Sequence, residues 1–186
     1  MVRLNKLYTR TGDDGSTGLG DGSRRNKADL RIAAMGEIDE ANATLGMARR
    51  EASAATDTVL RRVQNDLFDL GADLAVPASE GAGERLRIDP AQVAWLEAET
   101  DLATDRLEPL TSFILPGGSA AAATLHLART VVRRAERAMA ALNAKEPLNP
   151  AALAYINRLS DLLFALARLE NDGGRSDVLW VPGANR

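Results

Sequence analysis

The sequence predicts an all-α protein: a single up-and-down bundle of about five helices behind a glycine-rich N-terminal segment. Three observations carry this. Alanine is abundant while aromatic residues make up only 4%, which favours helices over sheets. Apolar residues recur three and four apart in five stretches, the spacing of one buried helix face. Proline and glycine punctuate the intervals between those stretches.

Residues 1–28 hold Gly12, Gly15, Gly18, Gly20 and Gly22, a spacing that predicts loop. The first helix is expected from about Gly36 to Ser53, with Ile38, Ala41, Leu45 and Ala48 inward. The second is expected from about Thr56 to Val76 on Val59, Val63, Leu67, Leu70 and Leu74, stopped by Pro77. Residues 78–88 read as a polar loop. Asp89-Pro90 opens the third helix as cap and first-turn proline. Val93, Leu96, Ala103 and Leu107 give its buried face, and Pro109 closes it. Ser119 caps a fourth helix to about Asn143, with Leu125, Ala128, Val132, Ala135, Met139 and Leu142 inward. Asn149-Pro150 opens a fifth to about Glu170, ended by Gly173-Gly174. The tail, with Val178, Leu179, Trp180 and Val181, is expected to pack on the bundle as a short extended piece.

The 186 residues suit one domain with one core. A net charge of -3 argues against a nucleic-acid binder. No apolar run reaches the roughly 18 residues of a membrane span. The basic start lacks a signal-peptide core, so the cytoplasm is the expected location. With no cysteine there is neither disulfide nor thiolate site. His126 cannot build a histidine-rich metal centre alone and reads as structural or surface.

Four clusters could carry chemistry. In the first, glycines free backbone N–H groups to approach an anion. The hydroxyls of Thr9, Thr11, Ser16 and Thr17 can donate to phosphate oxygens, and Lys27 supplies charge. The spacing is not that of a Walker loop, and composition alone allows a flexible arm. On the fourth helix Arg129, Arg133, Glu136 and Arg137 share one face. Three guanidinium groups there call for an anion, or the stripe, with Arg134, is a solvated basic face. On the fifth helix Asn157, Asp161, Phe164 and Arg168 form a polar stripe that an ordinary amphipathic helix would also show. Asp39-Glu40 with Asn42 is the fourth cluster, and it too could be a solvated face.

The order and wording of the clusters say more than any one of them. Tyr8-Thr9-Arg10-Thr11-Gly12-Asp13-Asp14-Gly15, Gly36-Glu37-Ile38-Asp39-Glu40 and Phe113-Ile114-Leu115-Pro116-Gly117-Gly118 precede two further motifs. These are Ala128 to Arg137, containing Arg-Arg-Ala-Glu-Arg, and Asn157 to Phe164, containing Asn-Arg-Leu-Ser-Asp. This series closely resembles that of the PduO-type ATP:cob(I)alamin adenosyltransferases, from Lys6 to about Arg168. Arg10 stands where many members have lysine, which keeps the charge.

The resemblance implies transfer of the 5′-deoxyadenosyl group of ATP to Co(I) of a corrinoid, with triphosphate released. It implies a homotrimer with sites between subunits, ATP under the N-terminal segment, and Mg²⁺ carried mainly by the ATP phosphates. The division expected is 1–28 for ATP binding, 29–171 for the bundle and 172–186 for the tail. By position Thr9, Arg10, Thr11, Gly12, Asp13, Gly15, Ser16, Thr17, Lys27, Arg133, Glu136, Arg137 and Asn157 look like the nucleotide site. Asp39 and Arg129 look like an inter-subunit ion pair beside the corrinoid, and Phe113 like the residue on the lower corrin face. Arg133, Asp39, Arg129 and Phe113 are the catalytic candidates. A corrinoid reductase and an adenosylcobalamin-dependent acceptor enzyme are the implied partners. The competing readings are a non-catalytic ATP-binding module and a carrier of adenosylcobalamin.

Overall fold

The computed structural model describes residues 8–77 and 85–186. Five helices make the bundle: α1 Leu30–Arg49, α2 Ala54–Leu74, α3 Pro90–Thr104, α4 Ala120–Asn143 and α5 Pro150–Leu169. They run alternately up and down. α1 packs on α2 and α4, and α5 packs on α4 and α3. Each start is fixed by a side chain that accepts a free first-turn N–H: Asp29, Ser53, Asp89, Ser119 and Asn149. Asp89 and Gln92 form a reciprocal capping box.

The expected apolar stripes of α1 and α4 are buried in full, and on α5 Ile156, Leu159, Leu163 and Leu166 are buried. Four features differ from expectation. α1 begins at Leu30, six residues before Gly36, because Asp29 caps it by accepting from Arg31 N at 2.8 Å. Gly36 lies mid-helix with open space where a side chain would stand. α1 also stops at Arg49, and Ser53 caps α2 instead of ending α1. α3 stops at Thr104, short of Pro109, so Leu107 packs from a turn and only Leu96 and Ala103 are fully buried on that helix.

The fourth difference lies in the N-terminal segment, which is not all loop. β1 Ser16–Gly18 pairs antiparallel with β2 Arg24–Asn26, Thr17 facing Arg25. Gly22 has φ +88° in the connecting turn, and Asp14 and Asp21 each accept from a serine N–H two residues on. Most of the expected 78–88 loop lies outside the described residues.

The two ends of the bundle are built differently. At one end Arg31, 1% exposed, donates to Leu74 O and to Glu146, and Arg25 of β2 donates to Glu146 at 3.2 Å. Gly20 N donates to Ala75 O. The hairpin is thereby fastened to the start of α1, the end of α2 and the end of α4. At the other end the tail pairs with the segment before α4. An antiparallel bridge joins Ile114 and Leu179, with Leu115 N donating to Val178 O and Trp180 N to Phe113 O. Among the described residues no helix is long and apolar enough to cross a membrane.

Candidate active site

The N-terminal cluster is a compact knot of main chain and cation. Arg10 has φ +62°, a left-handed conformation costly for a side chain with a Cβ, and Gly15 has φ +82°. Lys27 Nζ donates to Gly12 O at 2.8 Å. A Cβ on Gly12 would stand 3.0 Å from Ser16 O and 3.2 Å from that ammonium, so a larger residue there would have to displace one of them by a few tenths of an ångström. The hydroxyls of Thr9 and Thr11 are hydrogen-bonded to each other at 2.9 Å. Arg24 donates to Thr11 O at 2.6 Å and to Ser16 Oγ at 3.0 Å. Ser16 donates through Oγ and N to Asp14, which holds the Asp14 carboxyl below its ordinary range. Thr17 is half-buried and Asp13 exposed. The structure thus gathers Thr9, Arg10, Thr11, Gly12, Asp13, Gly15, Ser16, Thr17 and Lys27 at one end of the bundle. Arg24, not anticipated, ties them together; its place beside Arg25 in an otherwise glycine-rich run was the available signal.

The α4 stripe divides. Arg134 is neutralised within the chain: it donates to Glu37 at 2.5 Å and also to Glu40 of α1, which raises its pKa further. It does not belong to a free basic face. Arg129, Arg133 and Arg137 have no carboxylate partner among the described residues. Glu136, the one acid on their stripe, accepts from Asn157 of α5 at 2.8 Å. Arg137 donates to Arg133 O at 3.0 Å, and both side chains are exposed. Burial and the neighbouring Arg133 charge depress the pKa of Arg129. Its Nε is buried with no hydrogen-bond partner among the described residues.

Around Arg129 the surroundings turn apolar. Its guanidinium lies 5.9 Å from the Phe164 ring, and His126 meets the same ring edge-on at 6.0 Å. His126 is 3% exposed, so the structural expectation fits it. Burial first, and Arg129 second, push its pKa down. Phe164, Asp161, Leu107, Leu110 and Arg168 line a cleft of about 590 Å³ between α3 and α5. Phe113 is 78% exposed, its ring 6.2 Å from that of Trp180. Leu115, Val178 and Val181 are exposed around them, forming an apolar patch of the kind that marks a binding surface. The sequence places Trp180 only in the packing of the tail; the structure sets it against Phe113.

Asp39 and Arg129 do not meet within the chain. Asp39 lies exposed on α1 beside a groove that it lines with Met35, Phe68, Gly71 and Ala72. Nor does the N-terminal knot meet Arg133, Glu136, Arg137 or Asn157 through any hydrogen bond or ion pair among the described residues. The 24 residues of α4 span about 36 Å, with the knot near one end and Phe113 beyond the other.

The model of the family described as cobalamin adenosyltransferase matches residues 7–170. A corrinoid adenosyltransferase of Mycobacterium tuberculosis (strain ATCC 25618 / H37Rv) is 50% identical over 190 residues, covering 100% of this chain and 97% of that protein. A cobalamin adenosyltransferase of Cupriavidus metallidurans is 51% identical, covering 96% and 95%. Among solved structures, a variant PduO-type ATP:corrinoid adenosyltransferase from Lactobacillus reuteri, complexed with cobalamin and ATP, superposes with a TM-score of 0.88. It is 37% identical and covers 94% of this chain and 99% of that one.

Proposed function

This chain belongs to the cobalamin adenosyltransferase family, and we propose that its active site is assembled between two copies of the chain. The enzyme transfers the 5′-deoxyadenosyl group of ATP to Co(I) of a corrinoid, forming adenosylcobalamin and releasing triphosphate. Half-identity along its whole length to named adenosyltransferases sets it with enzymes, apart from an ATP sensor or a mere carrier.

The nucleophile belongs to the corrinoid substrate, so no serine, cysteine or histidine nucleophile is required of the protein. Cobalt attacks C5′, the Co–C bond forms, and the C5′–O5′ electron pair leaves on the triphosphate. The protein's tasks are to hold C5′ in line with cobalt and to stabilise a polyanion. Arg133 and Arg137, exposed and without a carboxylate partner among the described residues, suit the triphosphate, while Asn157 holds Glu136 for the nucleoside side of the site. Thr9, Arg10, Thr11, Gly12, Asp13, Gly15, Ser16, Thr17 and Lys27 close over the phosphates from a neighbouring copy. The division into an ATP-binding segment 1–28, a bundle 29–171 and a tail 172–186 follows from this reading.

Among the described residues no group of three or more histidines and carboxylates could hold a metal ion. In this reading Mg²⁺ is carried mainly by the phosphate oxygens of ATP and would supply further positive charge to stabilise the leaving group. Asp39 of one copy pairs with Arg129 of the next beside the corrinoid, giving the buried Arg129 Nε an acceptor. Phe113 covers the lower corrin face and excludes water and the tail base, easing reduction of Co(II) to Co(I). The enzyme works in the cytoplasm as a homotrimer, supplied by a corrinoid reductase and serving an adenosylcobalamin-dependent acceptor enzyme.

The observation that carries the shared site is the separation along α4: one chain does not bring its N-terminal knot to its own Phe113. The reaction is tested by mixing chemically reduced cobalamin, ATP and protein. A spectrum of the Co–C bond with stoichiometric free triphosphate is expected. ATP binding without either product would overturn the reading.

A further inference from the structure

The geometry points to Asp177 as a positioning residue that sets the Phe113 loop through the C-terminal tail. Its carboxylate is 4% exposed and accepts from Arg168 Nε at 2.8 Å through one oxygen. The other accepts from Asn171 Nδ2 at 2.8 Å. Each donor reaches a different piece of the Phe113 surroundings. Arg168 Nη2 donates to Glu108 O at 3.0 Å, in the stretch leading to the loop. Asn171 Oδ1 accepts from Ser119 N at 3.2 Å, where the loop ends and α4 begins.

Two glycines make room for this cluster. Gly118 has φ +101°, and an added Cβ would run into the Asn171 carboxamide. Gly174 has φ +81°, and a Cβ there would stand 2.9 Å from Arg168 Nη2. From Asp177 the chain runs directly into the pairing with residues 113–115 and sets Trp180 against Phe113. Beyond Asp177 the tail residues are exposed; little apolar burial holds them. Main-chain bonds and Ser112 Oγ, which donates to Trp180 O at 2.8 Å, join tail to loop; the buried Asp177 carboxylate anchors the start of that pairing to the bundle, and so sets where the Phe113 ring stands. This rests on the assignment of Phe113 to the lower corrin face.

The test uses the full chain, ATP and cob(II)alamin, with electron paramagnetic resonance reading the four-coordinate Co(II) that exclusion of the lower ligand produces. Asp177→Ala should bind ATP normally yet lose the four-coordinate signal at least about fivefold as the positioned state is depopulated. Rescue separates positioning from damage to the fold. Ile114 and Leu179 face each other as a non-hydrogen-bonded antiparallel pair, with Cα atoms about 4.5 Å apart, within disulfide reach. In this cysteine-free chain, Ile114→Cys with Leu179→Cys should restore the signal of Asp177→Ala when oxidised and lose it when reduced. An undiminished signal in Asp177→Ala, or no recovery once the cross-link has formed, would overturn the role of Asp177 alone. A wild-type protein with no four-coordinate Co(II) would instead remove the Phe113 assignment, and this inference with it.

Discussion

Asn157 donates to Glu136 across the α4–α5 contact at 2.8 Å. That bond holds the one acid of the α4 stripe toward α5, so Arg133 and Arg137 keep their charge for a ligand. Arg133→Ala is expected to lower turnover at least about a hundredfold, the cost of losing one preorganised charge-stabilising donor. Lysine should rescue only in part, since it lacks the bidentate fork. Steady-state kinetics with pre-reduced corrinoid check this; near-normal turnover in the alanine variant would make the stripe a solvated face.

Deleting residues 1–20 removes β1 and the Thr9–Ser16 knot but leaves Arg25, Arg31 and Glu146 in place at the bundle end. ATP affinity should vanish while helical circular dichroism stays. Isothermal titration with ATP measures the first, and unchanged affinity would remove the N-terminal segment from the site.

Phe113→Ala distinguishes a corrin-face residue from a core anchor. A buried phenylalanine truncated to alanine costs about 3–5 kcal/mol, but this ring is 78% exposed. The variant should melt near the wild-type temperature and bind ATP. Reduction of Co(II) by a protein reductase should slow sharply, while turnover from pre-formed Co(I) suffers less. Equal losses in the two assays would contradict the assignment.

His126 makes stability depend on pH. Burial and Arg129 lower its pKa in the folded protein below the ordinary 6.5, against a weaker opposing pull from Asp177. Below pH 6.5 the unfolded chain therefore binds a proton that the folded chain resists, so stability is present above that pH and lost as pH falls toward the folded pKa. Melting curves at pH 7.5 and 5.5 should show this loss. His126→Asn should narrow the difference, and an unchanged difference would remove His126 as its source.

The bundle was legible because Ile38, Leu45, Leu125, Met139, Ile156 and Leu163 keep helical spacing and are all buried. The start of α1 was not, because a buried arginine at 31 satisfied by Leu74 O and Glu146 breaks the apolar pattern. Its partners lie 43 and 115 residues away, beyond any local window. The short hairpin escaped because its strands are only three residues each, and its turns are held by the Asp14 and Asp21 side chains. The site motifs were readable as a series, whereas the roles of Arg24 and Asp177 depend on tertiary contacts. Arg134 shows the limit of helical spacing: one residue from Arg133, it turns to α1 and is neutralised.

The shared site is tested most directly by complementation between two inactive variants. Lys27→Ala spoils the N-terminal half of the site, and Arg133→Ala spoils the α4 half. Co-expressed in equal amounts and purified as mixed trimers, they would place an intact N-terminal segment against an intact α4 at about a third of head-to-tail interfaces. The adenosylcobalamin formation rate of the mixture should then reach roughly that fraction of wild type, far above either variant alone. A mixture no more active than its components would mean that each chain builds its site by itself, and would contradict the account.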